Sequence, residues 1–278
     1  MDAGLFYLLS GFVFALGASI ASFLNVVIWR VPRGESIVKP PSHCPKCDAP
    51  IRWYQNIPIL SWLALRGRCA NCKAPISPRY ILVEALGGFL FLIVFMRYGA
   101  LWSFRTEGAL DIVVMWIWVS LMIVGSFVDF DLKLLPDFVT VGGMILGLLG
   151  AAGHVFIFGA GWGWLVQSAS GLALGFGLLW LVRFFGSKAF GREAMGLGDV
   201  FLMGAVGAMF GPVAVLVTLI LSSVFGSIVG VGMIALAKTK FGRFVEIPFG
   251  PYICLGCLVW MLHGPELVNV YLKSLGFS

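Results

Sequence analysis

Charge is what this sequence has least of. Only 12% of its 278 residues are Asp, Glu, Lys or Arg, and three are His, where a water-soluble domain carries roughly a quarter charged residues. With 60% of the chain hydrophobic and a mean hydropathy of +0.98, a soluble globular protein is excluded. The composition is that of an all-α polytopic membrane protein. Cysteine is also scarce. Four of the six fall in one charged, polar interval and the other two, Cys254 and Cys257, lie in an apolar run, which excludes a disulfide-stapled secreted domain. No strand leads into a glycine-rich turn of the nucleotide-binding kind, and no internal repeat or low-complexity stretch stands out. The formal charge of +6 is concentrated beside apolar runs, so it speaks for membrane orientation, with lipid as the surrounding partner, and against nucleic acid.

Long apolar runs are what the chain has in abundance. Crossing about 30 Å of hydrocarbon at 1.5 Å per residue takes about 20 apolar residues. By that ruler about eight transmembrane helices are expected, near residues 5–28, 80–96, 110–128, 138–158 and 164–184, two within 200–237, and one near 249–262. The first lacks a basic start and a small-residue cleavage pattern, so it reads as part of the mature protein rather than a signal peptide. Gly211-Pro212 divides the 200–237 interval, because proline removes a backbone donor and clashes with the preceding turn. The tail from Gly264 alternates apolar and polar residues and reads as interfacial. The interval from Gly186 to Gly198 reads as a glycine-rich segment bounded by helices. Pairs such as Gly143 with Gly147 and Gly171 with Gly175 suit close helix approach.

Orientation follows from basic residues, which stay on the cytoplasmic side in short loops. The polar stretch 30–79 holds Arg30, Arg33, Lys39, Lys46, Arg52, Arg66, Arg68, Lys73 and Arg79. Eight spans with the amino terminus outside put Lys133, Arg183, Lys188, Arg192, Lys238, Lys240 and Arg243 on the same side, leaving Arg97, Arg105 and Lys273 opposite. The chain then divides into a first transmembrane helix (1–29), a cytoplasmic loop domain (30–79) and a transmembrane domain (80–278).

Two constellations carry chemistry. Cys44-Pro-Lys-Cys47 and Cys69-Ala-Asn-Cys72 are two C-x-x-C knuckles separated by 21 residues, a donor set for tetrahedral Zn²⁺. Four sulfurs leave no open position, so the metal is expected to be structural, supplying folding energy to a loop too short for much core. The second constellation is acidic. Asp129, in Val128-Asp-Phe-Asp-Leu-Lys-Leu-Leu-Pro-Asp137, and Asp199, in Met195-Gly-Leu-Gly-Asp199, fall at the cytoplasmic ends of their spans, at the same depth. Ionisable groups beside hydrocarbon are functional by default, and two carboxyls brought together share a proton, as aspartic proteolysis requires. The plainer alternative is helix capping by Asp137 and Asp199. Asp131, beside Lys133, reads as a solvated charge. A proton relay in an ion-coupled transporter is the rival from another class, although such proteins carry carboxylates near mid-bilayer.

At these residues the sequence resembles the bacterial type IV prepilin peptidases, membrane aspartic proteases of the Gly-x-Gly-Asp kind. The resemblance rests on Gly196-Leu-Gly-Asp199, on Asp129 eight residues before Asp137, and on Ala21-Ser-Phe-Leu-Asn-Val-Val-Ile-Trp-Arg30. Both cysteine knuckles, Ile76-Ser-Pro-Arg-Tyr80 leading to Glu84, and Ile247-Pro-Phe-Gly-Pro251 extend it. It implies that Asp129 and Asp199 are the catalytic pair and that Asp137 has a capping or structural role. It implies precursors of pilins and pseudopilins as substrates, cut at the cytoplasmic edge of the inner membrane, and methylation of the new amino terminus from S-adenosylmethionine. Glu84, a buried acid one turn into the second span, is a candidate for holding that cofactor or a substrate amine, or else a partner for Arg79 or another helix. A related protease with another client and no methyl transfer is the nearer rival. His154 and His263 read as interface residues, Cys254 and Cys257 as packing residues. Glu193 reads as a loop charge with a possible supporting role at Asp199.

Overall fold

The computed structural model describes residues 3–99, 106–236, 248–274 and 276. Arg105, Lys238, Lys240, Arg243 and Ile247 lie outside the described residues. Among those described there is helix but no strand, only two isolated bridges. Nine helices follow in chain order: α1 Ala3–Arg30, α2 Leu60–Ala64, α3 Arg79–Gly99, α4 Thr106–Leu132, α5 Asp137–Phe156, α6 Gly163–Phe190, α7 Leu197–Phe210, α8 Pro212–Leu236 and α9 Gly250–Ser274. Seven are long and apolar enough to cross a membrane, and α7, at 14 residues, is shorter. Seven of the eight spans read from the sequence therefore have the length of a crossing, and the eighth, α7, does not.

The chain forms two compact units, Met1–Val124 and Gly125–Ser278. In the first, α1 packs along α3 where side chains are missing. A Cβ on Gly17 would sit 2.7 Å from the Gly87 carbonyl oxygen and 2.6 Å from Phe91 Cβ. Asn25, buried on α1, donates to the Tyr80 carbonyl at 3.4 Å.

In the second unit α7 is the innermost element. It packs against α5, α6, α8 and α9 and is buried almost throughout from Asp199 to Ala208. Its rise of about 21 Å is shorter than the hydrocarbon core, which suits a helix enclosed by others. Glycine makes the enclosure possible. Gly171 and Gly207 face each other backbone to backbone, Gly175 lies against Met203, and a Cβ on Gly147 would meet the Ala208 carbonyl carbon at 2.6 Å. Ser168 adds a 2.7 Å hydrogen bond to the Ala208 carbonyl.

The break at Gly211-Pro212 is where the sequence puts it. Gly211 has φ 84, a region open to glycine, and Pro212 opens α8, where its missing N–H costs nothing. Two other boundaries differ from expectation. The last helix does not stop at 262: α9 continues to Ser274 with Pro265 inside it, so the tail read as interfacial is helical, and the proline deletes one backbone bond without ending the helix. Gly186 is likewise not in a loop, because α6 runs to Phe190 and ends on Gly191 in the left-handed region, φ 67.

Candidate active site

Both singled-out aspartates lie at helix ends in the second unit. Asp129 is in the last turn of α4, which closes on a hydrogen bond from the Lys133 amide to the Asp129 carbonyl at 2.9 Å, with Lys133 at φ 54. The chain then turns through Leu134, Leu135 and Pro136 into α5. Asp199 is the third residue of α7, after the N-cap Gly196. The two carboxylates are only 5% and 8% exposed and lie within electrostatic range of each other. Each is held by a backbone amide. Gly250 N–H donates to Asp129 Oδ2 at 3.0 Å, and Gly196 N–H donates to the Asp199 carboxylate.

Three glycines and one leucine shape this arrangement. A Cβ on Gly250 would lie 2.7 Å from Asp129 Oδ2 and one on Gly196 3.2 Å from Asp199 Oδ2. Leu135 fills the gap between the Asp-bearing segments. A Cβ on Gly198 would be 2.8 Å from Leu135 Cβ, and one on Gly250 would be 3.2 Å from Leu135 Cδ1. The side-chain-free positions therefore let α7 and α9 approach the α4–α5 turn closely enough to bury both acids.

The capping alternative fares differently at its two residues. Asp137 is the first residue of α5, behind the N-cap Pro136, in the first turn of the helix; it is exposed. Asp199 does accept the N-cap amide of its own helix, as acids at the third helical position do. Asp131 is exposed. Glu193 is paired with Arg183 at 2.8 Å on the surface, and His154 is buried and stacked on Trp164 at 4.1 Å. Sequence reasoning missed two contributors. The Gly250 amide acts through its backbone, which no letter advertises. Cys254, read as packing, is buried one turn along α9, hydrogen-bonded to Ser126 and within electrostatic range of both aspartates.

The four knuckle cysteines come together in the first unit, their sulfurs all within 4.8 Å of one another. Cys44 Sγ and Cys72 Sγ are 3.8 Å apart, the edge of about 3.8 Å that a tetrahedron of thiolates at about 2.3 Å from zinc would have. Amide groups aimed at sulfur favour the thiolate. The Cys72 and Asn71 amides bring Cys69 down to about 6, and the Ala49 amide and Asn71 side chain lower Cys47.

The absence of an internal repeat, expected from the sequence, is corrected here. His43–Ile51 and Arg68–Ile76 share Cys-x-x-Cys-x-Ala-Pro-Ile at an offset of 25 residues, and the same bonds recur. Cys44 N–H donates to Ala49 O at 3.0 Å and Cys69 N–H to Ala74 O at 2.8 Å, while Ile51 and Ile76 donate to Ser42 and Gly67. Asp48 and Lys73 both take positive φ, 54 and 59. The unit escapes a search for longer repeats because it is nine residues long.

Glu84, the candidate for a cofactor or amine contact, is buried on α3 and accepts the Ile59 N–H at 2.7 Å through Oε2. It thereby fastens the loop before α2.

An all-helical membrane protein with two buried, amide-held carboxylates at helix ends and a separate four-thiol lobe is the class that fold and site define. Residues 15–98 match the bacterial peptidase A24 N-terminal domain and residues 116–231 the type IV leader peptidase family. The chain is 42% identical to a prepilin leader peptidase/N-methyltransferase of Myxococcus xanthus over 84% of its own length and 66% of that protein's. It is 36% identical to one of Aeromonas hydrophila, covering 98% and 96%, and 34% identical to one of Pseudomonas putida, covering 94% and 93%. The chain belongs to the type IV leader peptidase family. No solved structure gives a significant match.

Proposed function

We propose that this protein cleaves the short basic leader from type IV prepilins and pseudopilins, with Asp129 and Asp199 as its catalytic dyad, and methylates the amino terminus so exposed. The observation that carries the reading is the burial of these two carboxylates at the ends of α4 and α7, within electrostatic range of one another. Two such groups hold one proton between them and titrate as a unit. One takes a proton from water as it attacks the scissile carbonyl carbon, and the other donates a hydrogen bond to the carbonyl oxygen. The Gly250 and Gly196 amides fix the carboxylates without consuming both oxygens of either. Placement at helix ends weighs against a transport relay, which would call for acids near mid-span.

The bias of the basic loops supports a cytoplasmic position for these ends, the 30–79 lobe and the start of α9, where a leader would be presented. Zinc held by Cys44, Cys47, Cys69 and Cys72 would be structural, closing the two knuckles into one lobe. S-adenosylmethionine supplies the methyl group, as the names of the relatives suggest.

The test is incubation of purified enzyme with a prepilin, with and without S-adenosylmethionine, followed by mass measurement of the mature amino terminus. Asp129→Asn and Asp199→Asn should each lower cleavage by at least about a hundredfold, and Asp137→Asn should retain most of it. Wild-type cleavage by either dyad variant would remove the assignment. Cleavage without any gain of a methyl mass would leave a peptidase alone.

A further inference from the structure

A cavity of about 350 Å³ lies within the first unit, between one face of α1 and the polar loop that follows it. Its polar wall is made by Ser19, Ser22, Arg30, Ser42 and Asn56, and its apolar wall includes Phe23, Val26 and Val38. We infer that this cavity is the seat of the methyl donor, the carboxylate of its methionine portion against Arg30 and its heterocycle along the apolar wall. The inference rests on the methyltransferase reading above and gives that reading a place.

Three observations carry it. The first is size: small-molecule sites run from about 300 to 1,000 Å³, and this cavity falls within that range. The second is a prepared anion contact. Arg30 Nη1 donates to the Ser36 and Pro40 carbonyls at 2.9 and 2.8 Å, which fixes the plane of the guanidinium. Of its five N–H donors, those on Nη2 and Nε are not used by these two carbonyls and suit a carboxylate, the partner that a guanidinium fork fits best.

The third is that the wall carrying Asn56 and Pro58 is built from behind. Ile59, next in the chain, is held at φ 65, a conformation that strains a β-branched residue and persists only where its surroundings impose it. The bond from Ile59 N–H to the buried Glu84 carboxylate imposes it. Ser61 locks the same loop by accepting the Ile57 N–H at 2.9 Å and donating to the Tyr54 carbonyl at 3.1 Å. Glu84 is thus a positioning residue for the cavity wall rather than a contact to the ligand. An acyl-chain slot would be apolar throughout, whereas five polar side chains line this one.

The transfer it would serve is a displacement at the methyl carbon. The lone pair of the neutral amine forms the new N–C bond, the C–S bond breaks with its electrons going to sulfur, S-adenosylhomocysteine leaves, and the extra proton on nitrogen passes to water.

The experiment uses the purified full-length enzyme in detergent with radiolabelled S-adenosylmethionine. Binding is read by equilibrium dialysis and location by ultraviolet crosslinking with peptide mapping. Saturable binding is expected, with label on peptides that contain residues 22–42 or 56–58. Arg30→Gln should weaken binding at least about tenfold, Arg30→Lys should restore part of the loss, and Ser22→Phe, which fills the cavity, should abolish binding. Zinc content and a single elution peak report folding of the variants. Because the crosslink is mapped on wild-type protein, the answer does not depend on any variant folding. Label confined to other peptides, or competition by phosphatidylglycerol but not by S-adenosylhomocysteine, overturns the cavity assignment while methyl transfer stands. Wild-type protein that neither binds the donor nor methylates a cleaved pilin overturns the methyltransferase reading and the cavity assignment together.

Discussion

Gly250 shows how much of this site depends on a side chain that is absent. Its amide reaches Asp129 Oδ2 at 3.0 Å only because nothing protrudes from its Cα, and a methyl group there would lie 2.7 Å from the same oxygen. Gly250→Ala should therefore displace the carboxylate while sparing the helix. A shift of about 1 Å in a reacting group costs up to about a hundredfold in rate. Loss of leader cleavage of that order is expected, as a fall in kcat, with the detergent-solubilised protein still folded by circular dichroism. Full activity in Gly250→Ala would mean that the amide contact does not position Asp129. The aspartates themselves are legible in the letters, since an acid at the end of a long apolar run has few reasons to be there. Their amide partners are not, because every residue except proline carries the same N–H. Cys254 illustrates the same limit. Its spacing from Cys257 suggests packing, and only the path of α9 past Ser126 brings it beside the acids.

At the next level up, the crossing of α6 and α7 and the paired knuckles make separate demands. Gly171 and Gly207 bring two helices to backbone contact, so Gly207→Leu must push them apart. Overpacking of this kind costs about 1–3 kcal/mol, and the thermal midpoint in detergent should fall by several degrees. An unchanged midpoint would show that the crossing can widen freely. Cleavage should drop as well, because α7 carries Asp199. In the loop, the nine-residue knuckles are built on backbone bonds that recur in both copies, yet neither encloses a core. Elemental analysis of purified protein should find one zinc per chain, lost in Cys44→Ser or Cys69→Ser, with protease sensitivity appearing first within residues 30–79. Zinc-free wild-type protein with a protected loop would remove the metal from the account. The second knuckle's likeness to the first becomes obvious only once matching hydrogen bonds are drawn.

At the scale of the molecule, an even number of crossings, with α7 as the eighth, and the bias of the basic loops would put both ends of the described chain on one side. A single cysteine introduced at Gly161, in the turn between α5 and α6, should be labelled by a membrane-impermeant maleimide in intact cells. One introduced at Glu35 should react only after the membrane is opened. The reverse pattern would invert the topology and remove the dyad from the side where a leader is presented. The arrangement into Met1–Val124 and Gly125–Ser278 gives the four-thiol lobe and the proposed donor cavity to one unit and the paired acids to the other.

The letters alone determined the class, most of the helices and the break at Gly211-Pro212, and singled out the thiol quartet and the two acids as candidates, because each depends on local quantities: apolar length, a missing N–H, ligand spacing, charge beside hydrocarbon. They misplace the ends of α6 and α9, because both helices run on past the apolar stretch that a spanning length picks out. The Gly250 amide on Asp129, the Leu135 wedge and the fastening of Ile59 by Glu84 join residues up to 121 positions apart. Contacts of that range are decided by which helix faces pack together, and side-chain volume at each crossing, above all its absence at glycine, decides the packing.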